Sequence, residues 1–215
     1  MQDLSSSLPY LFEASGVTMG LAILAILLST VVGLLIGILS ILAGRLGKSI
    51  ILGCVYVIRG IPILVQLFLV YFGLPFFGII VDPYTVAVLA ISFHMGALVT
   101  EVVRGSILGV PSAQSEGGLA LGMTPGQLVW QILLPQALRA AIPPYVSLIP
   151  ITIKATALAS VINIWELTLA SKEISSQTLE TFQVFGFALA IYFALCYPFT
   201  ILGKRLEGRF TSYRN

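Results

Sequence analysis

Charge is what this 215-residue chain has least of: 9% of its residues are Asp, Glu, Lys or Arg, against 58% hydrophobic. Soluble domains carry about a quarter charged residues, so a water-soluble fold is excluded. Histidine occurs once, as His94, and cysteine twice, as Cys54 and Cys196 within apolar runs. Neither a disulfide framework nor a His/Cys metal cluster can be assembled from these, and both cysteines read as small buried hydrophobes. No serine stands in a nucleophile-elbow setting with a base nearby, which removes intramembrane hydrolysis. Gly47-Lys48-Ser49 imitates the end of a phosphate loop, but Leu42 occupies the place of its first glycine and no strand precedes it. The tripeptide reads as a tight turn, and any ATP that drives this protein is hydrolysed elsewhere. With a net charge of +2, nothing suggests a nucleic-acid partner.

What the chain does have is long uncharged runs, and a mean hydropathy of +1.03. A membrane helix needs about twenty such residues. No charge falls between Ala14 and Gly44, between Gly60 and Val81, between Pro83 and Thr100, or between Phe182 and Leu202. These four runs predict four crossings, the second reaching back to about Ser49 with Arg59 snorkelling at one end. From Gly105 to Lys172, charges at Glu116, Arg139, Lys154 and Glu166 alternate with Pro111, Pro125, Pro135, Pro143, Pro144 and Pro150. One broken crossing, from about Pro125 to Ile153, fits that stretch. Prolines are tolerated there when protein or a cavity satisfies the freed carbonyls. Thr124-Pro125-Gly126-Gln127 has the form of a capping box, and Gly122 can end a short helix, Ser112 to Leu121, lying outside the bilayer. The prediction is a single all-α transmembrane domain, residues 1–215, with five crossings and a cytoplasmic loop over about 105–126.

Five crossings put the two ends on opposite sides. Arg45, Lys48, Arg104, Lys204, Arg205, Arg209 and Arg214 then share one side, while the other offers essentially Lys172 alone. The positive-inside rule places the N-terminus outside and the C-terminal tail in the cytoplasm. Residues 1 to 15 hold no Lys or Arg, so no cleaved signal peptide is expected.

Several motifs follow one another in a telling order. Glu116-Gly117-Gly118, then Gly122, then Ile132-Leu133-Leu134-Pro135 resembles the cytoplasmic EAA loop of ABC importer permeases. Arg59-Gly60-Ile61-Pro62-Ile63-Leu64-Val65-Gln66 is similar to a stretch of the polar amino acid uptake permeases, as is Leu134-Pro135-Gln136-Ala137-Leu138-Arg139. Glu101 to Gly105 and Lys154 to Leu158 fall in the order that family has. The resemblance runs from about Ser15 to the final tail and implies a type I ABC importer permease fold in a bacterial inner membrane. It further implies a homodimer or a heterodimer with a homologous permease, two cytoplasmic ATP-binding subunits and an external amino-acid-binding protein. No cofactor is implied on this chain, with ATP and Mg on the partner ATPase. Tyr71 to Pro75 looks like the cystine-type members in particular. The chain departs from the pattern at Gly117 and Gly118, where the family has alanines, and at Ser147 and Ala155, where it has Asn or Asp.

Function by resemblance and by residue chemistry then meet. Glu116, Gly117, Gly118 and Gly122 are the expected contact with the ATPase, and Arg59, Gly60, Pro62 and Pro135 are structural motif positions. Arg59 either snorkels or braces the subunit. Glu101 and Arg104, spaced i,i+3, predict a local ion pair. Lys154, at membrane depth, needs an anion: the carboxylate of an amino-acid substrate, Glu166, or lipid headgroups. A polar pathway lined by Thr152, Lys154 and Thr156, with His94 and Gln66 from other helices, is the expected substrate route. The rival reading, an ion-gradient-driven transporter or channel, predicts paired acids at mid-membrane, whereas Glu101 sits near an end.

Overall fold

The computed structural model describes residues 4–211, all helices and connecting turns. Arg214, counted above among the cations of one side, lies outside that range. Nine α-helical stretches follow in order: α1 Leu4–Leu42, α2 Arg45–Gly60, α3 Ile63–Phe76, α4 Pro83–Leu108, α5 Ser112–Ala120, α6 Pro125–Leu128, α7 Leu134–Ala155, α8 Leu167–Thr178 and α9 Thr181–Thr211. A π-turn, Val129–Leu133, welds α6 to α7, and a 3-10 segment, Thr156–Ile162, extends α7. Four segments are long and apolar enough to cross a bilayer alone: Leu8–Leu42, Pro83–Leu108, Pro125–Ile162 and Thr181–Gly208.

The fifth crossing is revealed by direction. Leu21 packs beside Val86 and Ala87, Ala25 beside Ile91, Gly33 against Val99 and Gly37 against Val103. Residue numbers rise together, so α1 and α4 run parallel. The chain must therefore return across the bundle between them, and α2 with α3 is that return. It is broken: the two helices meet at 100° around Ile61 and Pro62. The second crossing thus does not extend straight back to Ser49. Pro62 has no N–H to bond Ile58, and the α2 register ends there. Gly47-Lys48-Ser49 lies inside α2, and the turn expected there falls at Ala43 and Gly44 instead. Cys54 is exposed on α2 rather than buried, and Cys196 is half-buried.

α7 runs antiparallel to α4, since Ala155 joins Ile91 and Met95 at one end while Leu133, Leu134 and Ala137 join Val103 and Ile107 at the other. α9 reverses again, with Gly203 against Ser147 and Cys196 against Pro150. Five crossings result, with the first and last described residues on opposite faces. Arg45, Lys48, Arg104, Lys204 and Arg205 gather on the face that also carries α5.

The parallel pair depends on one close approach. A Cβ at Gly33 would stand 2.5 Å from Val99 Cβ, and one at Gly37 2.9 Å from Val103 Cβ. The Gly33/Gly37 pair is therefore a working small-xxx-small seam, whereas Gly16 meets nothing within 4 Å. Asp82 opens α4 as its N-cap, accepting from Thr85 N–H at 3.0 Å.

Candidate functional site

At the charged face, α5 spans Ser112–Ala120, one residue short of the predicted Ser112 to Leu121. Its end is a Schellman closure: Met123 N–H reaches Gly118 O at 3.1 Å and Gly122 N–H reaches Leu119 O at 2.9 Å, with Gly122 at φ +77°. The chain then enters the next helix through the capping box, Thr124 Oγ1 accepting from Gln127 N–H and Gln127 Oε1 from Thr124 N–H. Pro135 stands two residues after the last residue of the π-turn; a proline lacks the N–H that a regular α register would bond to Gln131, which fits the wider winding there. Glu116 and Gly117 are exposed, as are Leu119, Leu121 and Trp130. Gly118 is buried on Leu128, Ile132 and Met123, so it roots the short helix on the one that follows. A protruding short helix fixed at one end to a membrane crossing can carry a push from a partner into that crossing.

A second polar assembly sits halfway along α4. Gln66, at the start of α3, is 8% exposed. Its Nε2 lies 2.6 Å from Ile58 O, 2.8 Å from Ile61 O and 3.0 Å from His94 Nδ1. The amide thus clasps carbonyls that the α2–α3 break releases. Gln66 and His94, predicted as contributors to one pathway, do meet. Arg59, Gly60 and Pro62 lie at this break, all exposed. Glu101 and Arg104 form the predicted ion pair.

The end of α7 abuts the same level. Ile63 of the break and Ala155 both pack on the cluster of Ala25, Ile91 and Met95. Two interrupted crossings therefore meet against the middle of α4. Lys154 is exposed there. Thr152 and Thr156 do not accompany it. Positions two apart on a helix point about 200° away, and both hydroxyls are buried and spent on their own backbone, Thr152 on Leu148 O and Thr156 on Ile153 O. Thr152 instead borders a cavity of ≈ 10 Å³ with Met95, Tyr145 and Ile149, room for about one water.

Lys154 and Glu166 do not pair, because Glu166 is committed elsewhere. It is 0% exposed; Oε1 accepts from Leu169 N–H at 3.0 Å as the N-cap of α8, and Oε2 accepts from Tyr192 OH at 2.9 Å. Burial pushes its carboxyl above the ordinary range, against the pull of the hydrogen bonds from Thr168, Leu169 and Tyr192. Sequence reasoning passed over this role, since Glu is not among the preferred capping residues. The signal available was an acid inside Ile164-Trp165-Glu166-Leu167, where an unpaired charge would be costly.

Interrupted apolar helices meeting against the middle of α4, together with a short helix rooted on a crossing at one face, have the form of a membrane transport subunit. The chain belongs to the family of binding-protein-dependent transport system inner membrane components, whose model matches residues 29–212. It is 33% identical to the glutamine transport system permease protein GlnP of Escherichia coli (strain K12), over 94% of both chains. It is 36% identical to the L-cystine transport system permease protein TcyB of Bacillus subtilis (strain 168), over 87% of this chain and 82% of that one. Among solved structures, that of an amino acid ABC transporter with histidines superposes with a TM-score of 0.85 at 31% identity, over 94% of each chain. The MetNI methionine ABC transporter shares the fold, with a TM-score of 0.76 at 19% identity over 96% of this chain and 97% of its own. The chain is thus a multi-pass inner-membrane permease subunit of an ABC importer, and separate ATPase subunits of that complex hydrolyse the ATP.

Proposed function

We propose that this permease carries a polar amino acid inward, with the N-terminus outside and α5 as the cytoplasmic contact for the ATPase. The observation that carries the reading is the meeting of two broken crossings against the middle of α4, while α5 stands at the face rich in Lys and Arg. The relatives named above, permeases of glutamine and cystine systems, support the substrate class. The working unit is a dimer with a like or homologous permease, two ATP-binding subunits and an external binding protein, and ATP with Mg stays on the ATPases. The whole of 1–215 acts as one domain, and Glu116, Gly117, Gly118 and Gly122 transmit the stroke. Lys154 takes the substrate carboxylate or holds the outer gate around it.

Reconstitution tests this directly. Proteoliposomes holding the permease, its ATPase and its binding protein should accumulate one or more of glutamine, cystine and the other polar amino acids only when ATP is inside the compartment facing the ATPase. Accumulation driven by an ion gradient without ATP, or none of any amino acid, would sink the reading. Lys154→Met separates the two roles of that residue: a raised half-saturation constant marks carboxylate binding, and ATP hydrolysis without substrate marks a lost gate.

A further inference from the structure

The packing of α7 on the α1–α4 pair leaves a cavity of ≈ 140 Å³, walled by Leu34 of α1, Val102 and Val103 of α4, and Leu138, Ala141 and Ile142 of α7. Its polar lining is already spent. Thr30 and Tyr145 stand at the end farther from α5, and their hydroxyls lie 2.6 Å apart, each satisfying the other. Along α7 the cavity has an open edge, where Leu138 is 41% and Ile142 43% exposed. An apolar cavity of this size stays dry and takes up apolar molecules instead of water. Beside a bilayer, the apolar molecule at hand is an acyl chain.

The same edge carries a charge. Arg139 is exposed, next to Leu138 and three positions before Ile142, so it shares the open side of α7 with them. It lies five positions after Leu134, about 8 Å along the helix from the end at the α5 face. Among the described residues it has no acid partner, since Glu101 and Arg104, which flank Val102 and Val103, pair with each other. The mouth of the cavity is therefore positive. A cation at that depth reaches for headgroups or finds an anion, and a guanidinium meets phosphate with two parallel N–H donors. From the level of Leu138 the cavity continues to that of Tyr145, about 10 Å farther from the α5 face.

We propose that this edge of α7 is a binding site for an anionic phospholipid from the leaflet on the α5 side, with Arg139 holding the phosphate and an acyl chain filling the cavity beside Leu34, Val102 and Ala141. The occupant is a lipid rather than a second permease because charge and depth agree: an unpaired cation stands nearer the α5 face, and the dry space begins beside it and runs inward. A chain seated there packs on α7 and on the α1–α4 pair at once. The lipid thus bridges the crossing that holds the prolines and the two helices that lock together.

The test uses the purified permease–ATPase complex, stripped of lipid in detergent and titrated by native mass spectrometry. The probes are phosphatidylglycerol and phosphatidylcholine with the same two acyl chains. Wild type should bind phosphatidylglycerol about fivefold more tightly, the size expected of one cation beside an anionic headgroup. In Arg139→Gln that ratio should fall below about twofold. Lys204→Gln, which removes an exposed cation of the same face away from the cavity, should keep it. Ala141→Leu fills the cavity and should weaken both lipids together by about threefold or more while keeping the ratio; Val102→Phe serves if Ala141→Leu does not assemble. Equal binding of the two lipids by wild type, a ratio unchanged in Arg139→Gln or lowered as far in Lys204→Gln, or affinities unmoved by filling the cavity would each overturn the assignment. A disulfide between the Leu138→Cys residues of two permeases in the assembled complex would give this edge to the second subunit and overturn it as well.

Discussion

At Gly33 a single hydrogen atom decides how near two helices come. Any side chain there must displace Val99, whose Cβ and Cγ1 both lie 2.5 Å from where a Cβ would stand. Gly33→Ala should destabilise the detergent-solubilised protein by about 1–3 kcal/mol, the usual range for overpacking, seen as a lower midpoint in thermal unfolding. The same change at Gly16, inside α1 and with nothing within 4 Å, should not lower the midpoint and by helix propensity should raise it slightly. Asp82 is a second residue with a measurable signature. Its hydrogen bonds from Thr85 hold its carboxyl below the ordinary value, so its contribution is present above the unfolded carboxylate pKa and disappears as pH falls through the folded one. Asp82→Ala should thus lower the unfolding midpoint at pH 7 and converge with wild type in acid; parallel curves at all pH values would show that the cap contributes nothing.

Among the elements, α5 combines a weak helix with a strong boundary. Gly117 is exposed and meets nothing within 4 Å, so Gly117→Ala should strengthen α5 by about 0.5–1 kcal/mol, read as slower amide exchange over Ser112–Ala120. Gly122→Val opposes φ +77° and should misdirect the chain into α6, lowering ATPase assembly and uptake while folded permease persists in the membrane. Unchanged uptake in that variant would remove α5 from the coupling path. The boundaries of α5 and the capping box were legible because they depend on Gly, Pro and Thr chemistry within a few residues. The 100° break at Pro62 was not. Hydropathy sums over a window and is blind to direction, so Arg45–Gly60 and Ile63–Phe76 merge into one apolar run although their axes cross. The separation of Lys154 from Thr152 and Thr156 follows from helical phase, which a search for nearby polar residues ignores. Glu166 escaped for another reason: its partner Tyr192 is remote in sequence, on a different helix.

For the whole molecule, the order of directions matters more than any one contact. α1 parallel to α4, α4 antiparallel to α7 and α7 antiparallel to α9 leave the two ends on opposite faces. Cysteines introduced at Ser5 and Ser212, the latter outside the described residues, should react with impermeant reagents from opposite sides of intact cells in a background lacking Cys54 and Cys196. Labelling of both from one side would be incompatible with five crossings.

The seam of α1 on α4 has a further consequence, for motion. Two helices locked at van der Waals distance along four turns cannot slide or hinge against each other without clashing, so they travel as one rigid body. Opening and closing must then be borne by α7, with its π-turn and its prolines, and by the bend at Pro62. Gly96 allows that division to be tested covalently, since a Cβ there would lie 3.5 Å from Val32 Cβ, within reach of a disulfide. Oxidised Val32→Cys/Gly96→Cys permease should therefore transport at the rate of its reduced form, its two oldest neighbours stapled together while the rest of the machine turns around them.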